Sequence, residues 1–334
     1  MNTLSKVSFQ DGNGNIRTFS MESPSTGPME PNKDKVKTMT EAISRLVHNG
    51  DTVMIEGFTH LICFAAGHEI IRQRKRDLTL CRLTPDLIYD QMIGAGCARK
   101  VVFGWAGNPG VGPLHAFRRA VEKGVPQPLE LEEYSHAGMT ARINAGAVRL
   151  PFFPLRSYMG CDLPRVNTAI RSVTCPYTGE VLATVPALNP DVAIIHTQRA
   201  DAKGNAQIWG LLGIQKEAAF AAQRVIIVAE ELVDESTIRS DPNRTLIPGI
   251  IVDAVVIEAF GCHPSYVQGY YDRDNPFYIE WAEISKRKET FDDYMDDWVY
   301  GVKDRSEYVK KLGTKKMDEL KAERCLSTPV NYGY

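Results

Sequence analysis

Short apolar runs alternate with amphipathic stretches along most of this chain. Residues 40–47 put Ile43, Leu46 and Val47 on one face of a helix, and Asn49-Gly50-Asp51 ends it. Residues 52–55 form an apolar run of strand length, and Glu56-Gly57-Phe58-Thr59 is the turn after it. The same alternation predicts a helix over 65–73, a strand over 78–83, a helix over 86–93 and a strand over 101–103. A loop rich in glycine and proline follows over 104–113, then a helix over 116–123, a strand over 130–134 and a helix over 139–148. Pro151-Phe152-Phe153-Pro154 closes that unit. Residues 160–190 show no period, and their Val, Ile and Leu content reads as packed loop. Strands over 192–195 and 225–230 flank a helix over 215–222, and a further strand covers 253–257. From residue 278 the chain is charged and helical, with Trp281, Phe291 and Trp298-Val299-Tyr300 as anchors, and is expected to wrap the body. Repeated strand–helix alternation implies an α/β fold, an open and mostly parallel sheet flanked by helices on both faces.

The first 37 residues differ. They carry Asp11-Gly12-Asn13-Gly14-Asn15, Ser23-Pro24-Ser25, Gly27-Pro28 and a charged run from Glu30 to Lys35, with few apolar anchors. Residues 1–37 therefore read as an irregular arm, either a disordered tail or an arm that packs on a partner, and residues 38–334 as one domain. The chain's 334 residues are enough for a core without staples. The formal net charge of -2 provides no field for nucleic acid or an anionic membrane, and neither is expected as a partner. Seven cysteines, with no C-x-x-C pair, point to reduced thiols and a cytoplasmic location. No apolar run reaches membrane-spanning length, and no secretory signal is evident. His60, His68, His115, His196 and His263 are scattered without metal-ligand spacing, so no metal is expected.

Four segments carry candidate chemistry. Glu56-Gly57-Phe58-Thr59 ends a buried strand, where a glycine lets backbone approach a ligand. The 104–113 loop exposes backbone and offers Asn108, yet it fits neither a P-loop nor a dinucleotide fingerprint, and a plain loop accounts for it equally. Glu132-Glu133-Tyr134-Ser135-His136 gathers carboxylates, hydroxyls and an imidazole at a strand end, either an acid/base site or a solvated edge. In the fourth, the strand over 192–195 leads through Gln198 into a polar loop with Asp201, Gly204 and Asn205, ahead of Ile208-Trp209-Gly210. Glu230-Glu231 at the end of the next strand reads as a structural pair, a helix N-terminal acid, or alternatively as a nucleophile at a strand end.

As strings, these segments resemble the α subunits of class I CoA-transferases, nearest to the glutaconate type. The resemblance covers about residues 38–320. It includes Asn49-Gly50 with Gly57-Phe58, Pro151-Phe152-Phe153-Pro154, the segment from Asp191 to Gly210, Pro248-Gly249, Val252-Asp253-Ala254-Val255-Val256, Gly261-Cys262-His263-Pro264-Ser265 and Tyr271-Asp272-Arg273-Asp274-Asn275-Pro276-Phe277. Glu56 stands where the family's Gly-Gly-Phe has its first glycine, and Ile62-Cys63-Phe64 where it has Gly-x-Pro. His136 takes a position held by Gln in the glutaconate type and by Glu in a related group of hydrolases that open rings of steroid-derived CoA thioesters.

The resemblance implies the CoA-transferase fold and an acyl pocket walled by Gly57, Phe58, Thr59, Asn108, Glu133, Ser135, His136, Gln198 and Asn205. It implies no cofactor beyond the coenzyme A thioester as substrate. The nucleophilic glutamate is expected on a partner β subunit, in a heterotetramer or larger, because no Glu-Asn-Gly occurs here. No catalytic residue is then expected in this chain, save His136 in an auxiliary role: positioning the substrate or, in a hydrolase, activating water. Two other readings stay open, the α subunit of a same-fold hydrolase acting on a cyclic CoA thioester and a non-catalytic small-molecule-binding module.

Overall fold

Alternate residues of the central strands feed two apolar layers, one on each face of a single sheet. In this computed structural model, residues 5–10, 16–21, 34–108 and 111–322 are described. The strands, in chain order, are β1 (Ser5–Gln10), β2 (Ile16–Met21), β3 (Val36–Lys37), β4 (Thr52–Glu56), β5 (Leu78–Arg82), β6 (Ala98–Phe103), β7 (Glu130–Glu133), β8 (Phe152–Leu155), β9 (Arg171–Thr174), β10 (Val181–Pro186), β11 (Val192–Ala200), β12 (Ala206–Gln207), β13 (Arg224–Leu232), β14 (Thr245–Ile247) and β15 (Ala254–Ile257). The helices that matter below are α1 (Met39–Leu46), α2 (Phe64–Arg72), α3 (Leu87–Gly94), α4 (His115–Lys123), α5 (His136–Ala147), α6 (Leu163–Val166), α7 (Gln215–Ala221), α8 (Glu235–Ser240) and α9 (Asn275–Lys286).

The main sheet runs β3-β15-β13-β11-β4-β5-β6-β7, with every neighbouring pair parallel. β12 joins β11 antiparallel and β14 pairs with β12. Val53 and Ile55, Val192 and Ile194, and Ile226 and Val228 enter one core; Met54, Ala193 and Ile195, and Val225 and Ile227 enter the other. That two-sided burial is why these strands read as continuous apolar runs. The chain winds outward from β4 to β7 and then returns to set β11 against the other side of β4. Such a reversal is a topological switch point, and it directs ligands to the carboxyl ends of the strands beside it.

Several expectations change. The stretch from 160 to 190 is not loop alone: it contains β9 and β10, which form a three-stranded antiparallel sheet with β8, Phe153 opposite Val185 and Leu182 opposite Val173. Pro154 and the Thr178-Gly179 turn interrupt the alternation that would have marked these strands. Pro151 to Pro154, expected to close a unit, opens that sheet instead. β11 runs nine residues, to Ala200, beyond the apolar run that ends at Ile195. Its polar continuation, His196, Thr197 and Gln198, is fully buried and pairs with β13, so polarity there marks internal hydrogen bonding rather than a loop.

Chain contacts separate two units, Met1–Lys33 and Asp34–Tyr334. In the first, β1 and β2 pair antiparallel with Ser5 opposite Met21, so this part of the expected irregular arm is a hairpin. The glycine-rich 11–15 segment and the Ser/Pro stretch to Lys33 lie outside the described residues. Val36–Lys37, read as arm, is an edge strand of the main sheet, paired with β15. Two residues are too few to show a period. The tail is well anchored: Trp281 is fully buried and donates its indole N–H to Asp90 Oδ2 at 3.0 Å. Among the described residues no helix is long and apolar enough to cross a membrane.

Candidate active site

A cavity of about 290 Å3 opens at the carboxyl ends of β4, β5, β6 and β7. Each strand delivers part of its wall through the loop that follows: Phe58 and Thr59 after β4, Arg82, Thr84 and Asp86 from β5, Trp105 after β6, and His136 after β7.

The β4–α2 loop needs its glycine. Gly57 has φ +155°, and a Cβ there would lie 2.6 Å from the Leu61 carbonyl oxygen and 2.7 Å from that of His60. The tight turn leaves Phe58 43% exposed over the cavity and holds Thr59 at φ 57°. Burial lowers the His60 pKa to about 4, so the ring is neutral at pH 7. Its Nε2 accepts from the Gln268 amide at 3.0 Å, which leaves the proton on Nδ1 to donate to the Leu211 carbonyl at 2.9 Å. One neutral imidazole thereby fastens the Phe58 loop to the loops at 211 and 268.

Arg82 is 1% exposed and gives the wall its fixed positive charge. Its Nη1 donates to Asp86 Oδ1 at 3.0 Å and its Nη2 to the Gly57 carbonyl. Asp86 sits at the N-cap position of α3, with its Oδ1 held by Arg82. Burial raises the Asp86 pKa, and the guanidinium opposes that rise. Glu56, the last residue of β4, is 2% exposed, and its Oε2 has no hydrogen-bond partner. Burial pushes its pKa up to about 7 against the pull of Arg82 and the Gly57 amide. On the far wall, Ser135 caps α5 by accepting from the Gly138 amide at 3.0 Å, which places His136 in the first turn. His136 Nε2 lies 2.8 Å from Thr84 Oγ1. Trp105, 47% exposed, lines the cavity together with Phe58. The surface thus combines two exposed aromatic rings, a hydroxyl–imidazole pair and a recessed cation with two carboxyls around it.

Residues 36–258 match the family model for coenzyme A transferase. This chain belongs to the coenzyme A transferase family. It is 53% identical over 279 residues to the A-type subunit of the 3-oxoadipate CoA-transferase of Pseudomonas knackmussii, an alignment covering 84% of this chain and 98% of that one. Its structure resembles the crystal structure of glutaconate coenzyme A-transferase from Acidaminococcus fermentans with a TM-score of 0.81 at 34% identity, covering 89% of this chain and 98% of that one. A more distant relative is the IpdA subunit of a cholesterol ring-cleaving hydrolase from Rhodococcus jostii, 27% identical over 290 residues, 83% of this chain and 95% of that one.

Of the residues singled out for this coenzyme A transferase from its sequence, Phe58, Thr59 and His136 meet at the cavity, and Gly57 shapes the loop behind them. Ser135 is adjacent but serves as the α5 cap and bonds Tyr158 Oη. Glu133 is solvent-exposed and outside the cavity lining. Asn108 is 1% exposed, and its Nδ2 donates to the Tyr278 carbonyl at 2.7 Å, so its amide ties the 104–113 loop to α9 instead of facing the cavity. Gln198 is fully buried, its Nε2 donating to the Trp209 carbonyl at 2.8 Å. Asn205 closes the turn onto Asp201 and accepts from the Gly249 amide at 2.9 Å. These two polar residues organise the β11–β12 connection.

Arg82, Thr84, Asp86, Trp105 and Glu56 were not picked out as site residues. Arg82 did carry a signal, a charge in a run otherwise read as a buried strand. Glu230 is structural but not as a helix N-terminal acid, since β13 continues through it. Buried beside His196 and Cys262, it accepts from Tyr271 Oη at 2.6 Å and the Phe260 amide at 2.8 Å, with His196 Nε2 at 2.9 Å. Both of its oxygens are thereby hydrogen-bonded. His263 likewise bridges Tyr308 Oη at 2.9 Å and Asp274 Oδ2 at 3.1 Å, a packing role.

Proposed function

We propose that this chain is the α subunit of a CoA-transferase that moves coenzyme A between an acyl-CoA and a short dicarboxylic acid of the 3-oxoadipate class, assembled with a β subunit in a heterotetramer or larger. The observation that carries this reading is the composition of the cavity. Aromatic rings line its mouth and a cation stands behind them, but its one lining carboxyl, Asp86, is locked on Arg82. An apolar acyl chain with a distal carboxylate suits that lining, and the nucleophile has to arrive from another chain. The relative at 53% identity supports the dicarboxylic class.

The family mechanism then divides between two chains. A glutamate carboxylate from the β chain attacks the thioester carbonyl, the C–S bond breaks, and CoA leaves as thiolate with an acyl-glutamyl anhydride behind it. The thiolate attacks the glutamyl carbonyl and expels the first acid, giving a glutamyl-CoA thioester. The incoming carboxylate takes the CoA by the reverse steps. This chain's part is to bind and orient. Phe58 and Trp105 hold the acyl chain, and Arg82 supplies a positive potential towards its carboxylate. In the Thr84–His136 pair one group donates to the other, and the remaining hydrogen is available to a substrate oxygen. No metal, nicotinamide or flavin takes part in these steps; coenzyme A enters as substrate. A cytoplasmic location fits the six free cysteines among the described residues.

Two measurements test the reading. The complex with the β subunit should exchange CoA between an acyl-CoA and 3-oxoadipate, and the isolated chain should not; robust exchange by the isolated chain overturns the division of labour. His136→Gln in the complex keeps a hydrogen-bonding side chain but cannot shuttle a proton. It should retain most of the activity, with an unchanged pH profile. A loss on the order of a hundredfold in an assembled complex, the size expected for a removed general base, favours the hydrolase reading instead.

A further inference from the structure

We propose that Glu56, set behind the cavity wall beside Arg82, is a specificity-determining residue that takes up a proton when a substrate carboxylate enters the cavity. The inference rests on the cavity accepting a carboxylic acid, as proposed above.

The argument starts from a count of charge in a dry place. Three ionisable side chains stand together at the ends of β4 and β5: Arg82 at 1%, Asp86 at 2% and Glu56 at 2% exposure. Arg82 and Asp86 neutralise each other through their hydrogen bond. Glu56 is the remaining group, and nothing donates to its Oε2. Arg82 also keeps a buried Nε–H without a partner. The other groups facing Glu56 do not settle its charge. Cys81 of β5 and Tyr89 of α3 are buried, and both are pushed by burial towards their neutral forms. On the α7 side, Glu56 Oε1 is 3.5 Å from where a Gly213 Cβ would lie, and Gln215 beside that glycine is uncharged. With Glu56 ionised the cluster carries a net charge of about minus one, and with Glu56 protonated it is neutral.

A substrate carboxylate adds a further negative charge in front of Arg82. Like charges in a poorly solvated site disfavour one another, so the bound anion raises the affinity of Glu56 for a proton. Linkage fixes the direction: if the anion favours the protonated form, protonation favours the anion, and binding weakens as pH rises above the point where free Glu56 loses its proton. Burial sets that point at about pH 7 in the empty site. This gives a physical use to a carboxyl at a position where the family's turn has glycine. A monocarboxylic thioester with no distal charge does not call on it; a dicarboxylate does.

The test uses the complex with the β subunit, and adipate serves as a dead-end probe with no acyl-CoA present. Adipate is titrated calorimetrically at pH 7.8 in HEPES and in Tris, whose ionisation enthalpies differ. Wild type should take up close to one proton per adipate, and its affinity should fall on the order of tenfold between pH 6 and pH 8.5. Glu56→Gln should bind adipate with no proton uptake and a flat pH dependence. In wild type, an infrared difference spectrum should gain the C=O band of a protonated carboxylic acid on adipate binding, which separates Glu56 from His136 without relying on a variant that folds. Adipate binding without uptake, uptake undiminished in Glu56→Gln, or no carboxylic acid band each overturns the inference and leaves the proposed function standing. Absence of both adipate binding and CoA transfer to 3-oxoadipate overturns the proposed function, and the inference with it.

Discussion

Gly57→Val is expected to reduce kcat/KM of the assembled complex by at least about a hundredfold, the scale on which an ångström of misplacement acts. The residue sits at φ +155°, where L side chains are strained, and a Cβ would fall within 2.8 Å of three backbone atoms of His60 and Leu61. Those atoms cannot rotate away as a side-chain tip does, so the turn has to open. Opening it moves Phe58 and Thr59 from the cavity and takes the Gly57 carbonyl from Arg82. The β4 pairings to β11 and β5 lie before this turn, so the variant should still co-purify with the β subunit. Steady-state kinetics on the co-purified complex makes the check. Wild-type kinetics would mean that the loop does not shape the site.

Much of the fold was legible because the central strands are buried on both faces. Val192 to Ile195 and Val225 to Val228 read as strands in any register, and the helices between them set the parallel topology. What escaped reading lies largely in polar stretches, whether their side chains are buried or exposed. His196, Thr197 and Gln198 extend β11 while looking like a loop, and β9 alternates Ser and Thr with a single valine on a half-exposed surface. The site followed the same rule. Phe58 drew attention because it follows a strand end within a known family pattern, and Thr59 and His136 because they follow strand ends. Arg82 and Asp86 did not, because each falls inside an element that its neighbours define. Only the turn at Gly57 brings them to the same wall as residues from two other strands. Asn108, Gln198 and Asn205 have the composition of ligand-binding residues, yet each spends its amide on a backbone group across a loop. Donor-rich side chains in loops satisfy buried backbone groups as readily as they bind ligands, and sequence spacing does not separate the two.

Arg82→Met is expected to destabilise the protein by roughly 3–5 kcal/mol, the cost of leaving one partner of a buried ion pair uncompensated, and to lower its melting temperature by on the order of 5–10 °C. Methionine follows the stem of the arginine but offers no donor to Asp86 or to the Gly57 carbonyl. The pH dependence carries the more specific signature. Burial already holds the folded Asp86 pKa above its ordinary value, and Arg82 restrains the rise. Without Arg82 it goes higher. A carboxyl whose folded pKa exceeds its unfolded one binds more protons when folded, so stability is greatest at acid pH and falls as pH rises from the ordinary carboxylate range through the folded pKa. Glu56 contributes the same slope in wild type up to about pH 7, so the comparison has to be between variants. The deficit of Arg82→Met should therefore be larger at pH 8 than at pH 5, and adding Asp86→Asn should reduce that growth to the part that Glu56, which also loses the pull of Arg82, contributes, while leaving the loss of the Gly57 contact. Denaturant unfolding of the isolated chain at both pH values provides the measurement. In the complex, the single variant should lose more kcat/KM with adipate as CoA acceptor than with hexanoate, because only the former presents a second carboxylate to the missing cation. Equal losses with the two acids would assign Arg82 to the scaffold alone, and a variant as stable as wild type at pH 8 would show that its pair with Asp86 contributes nothing.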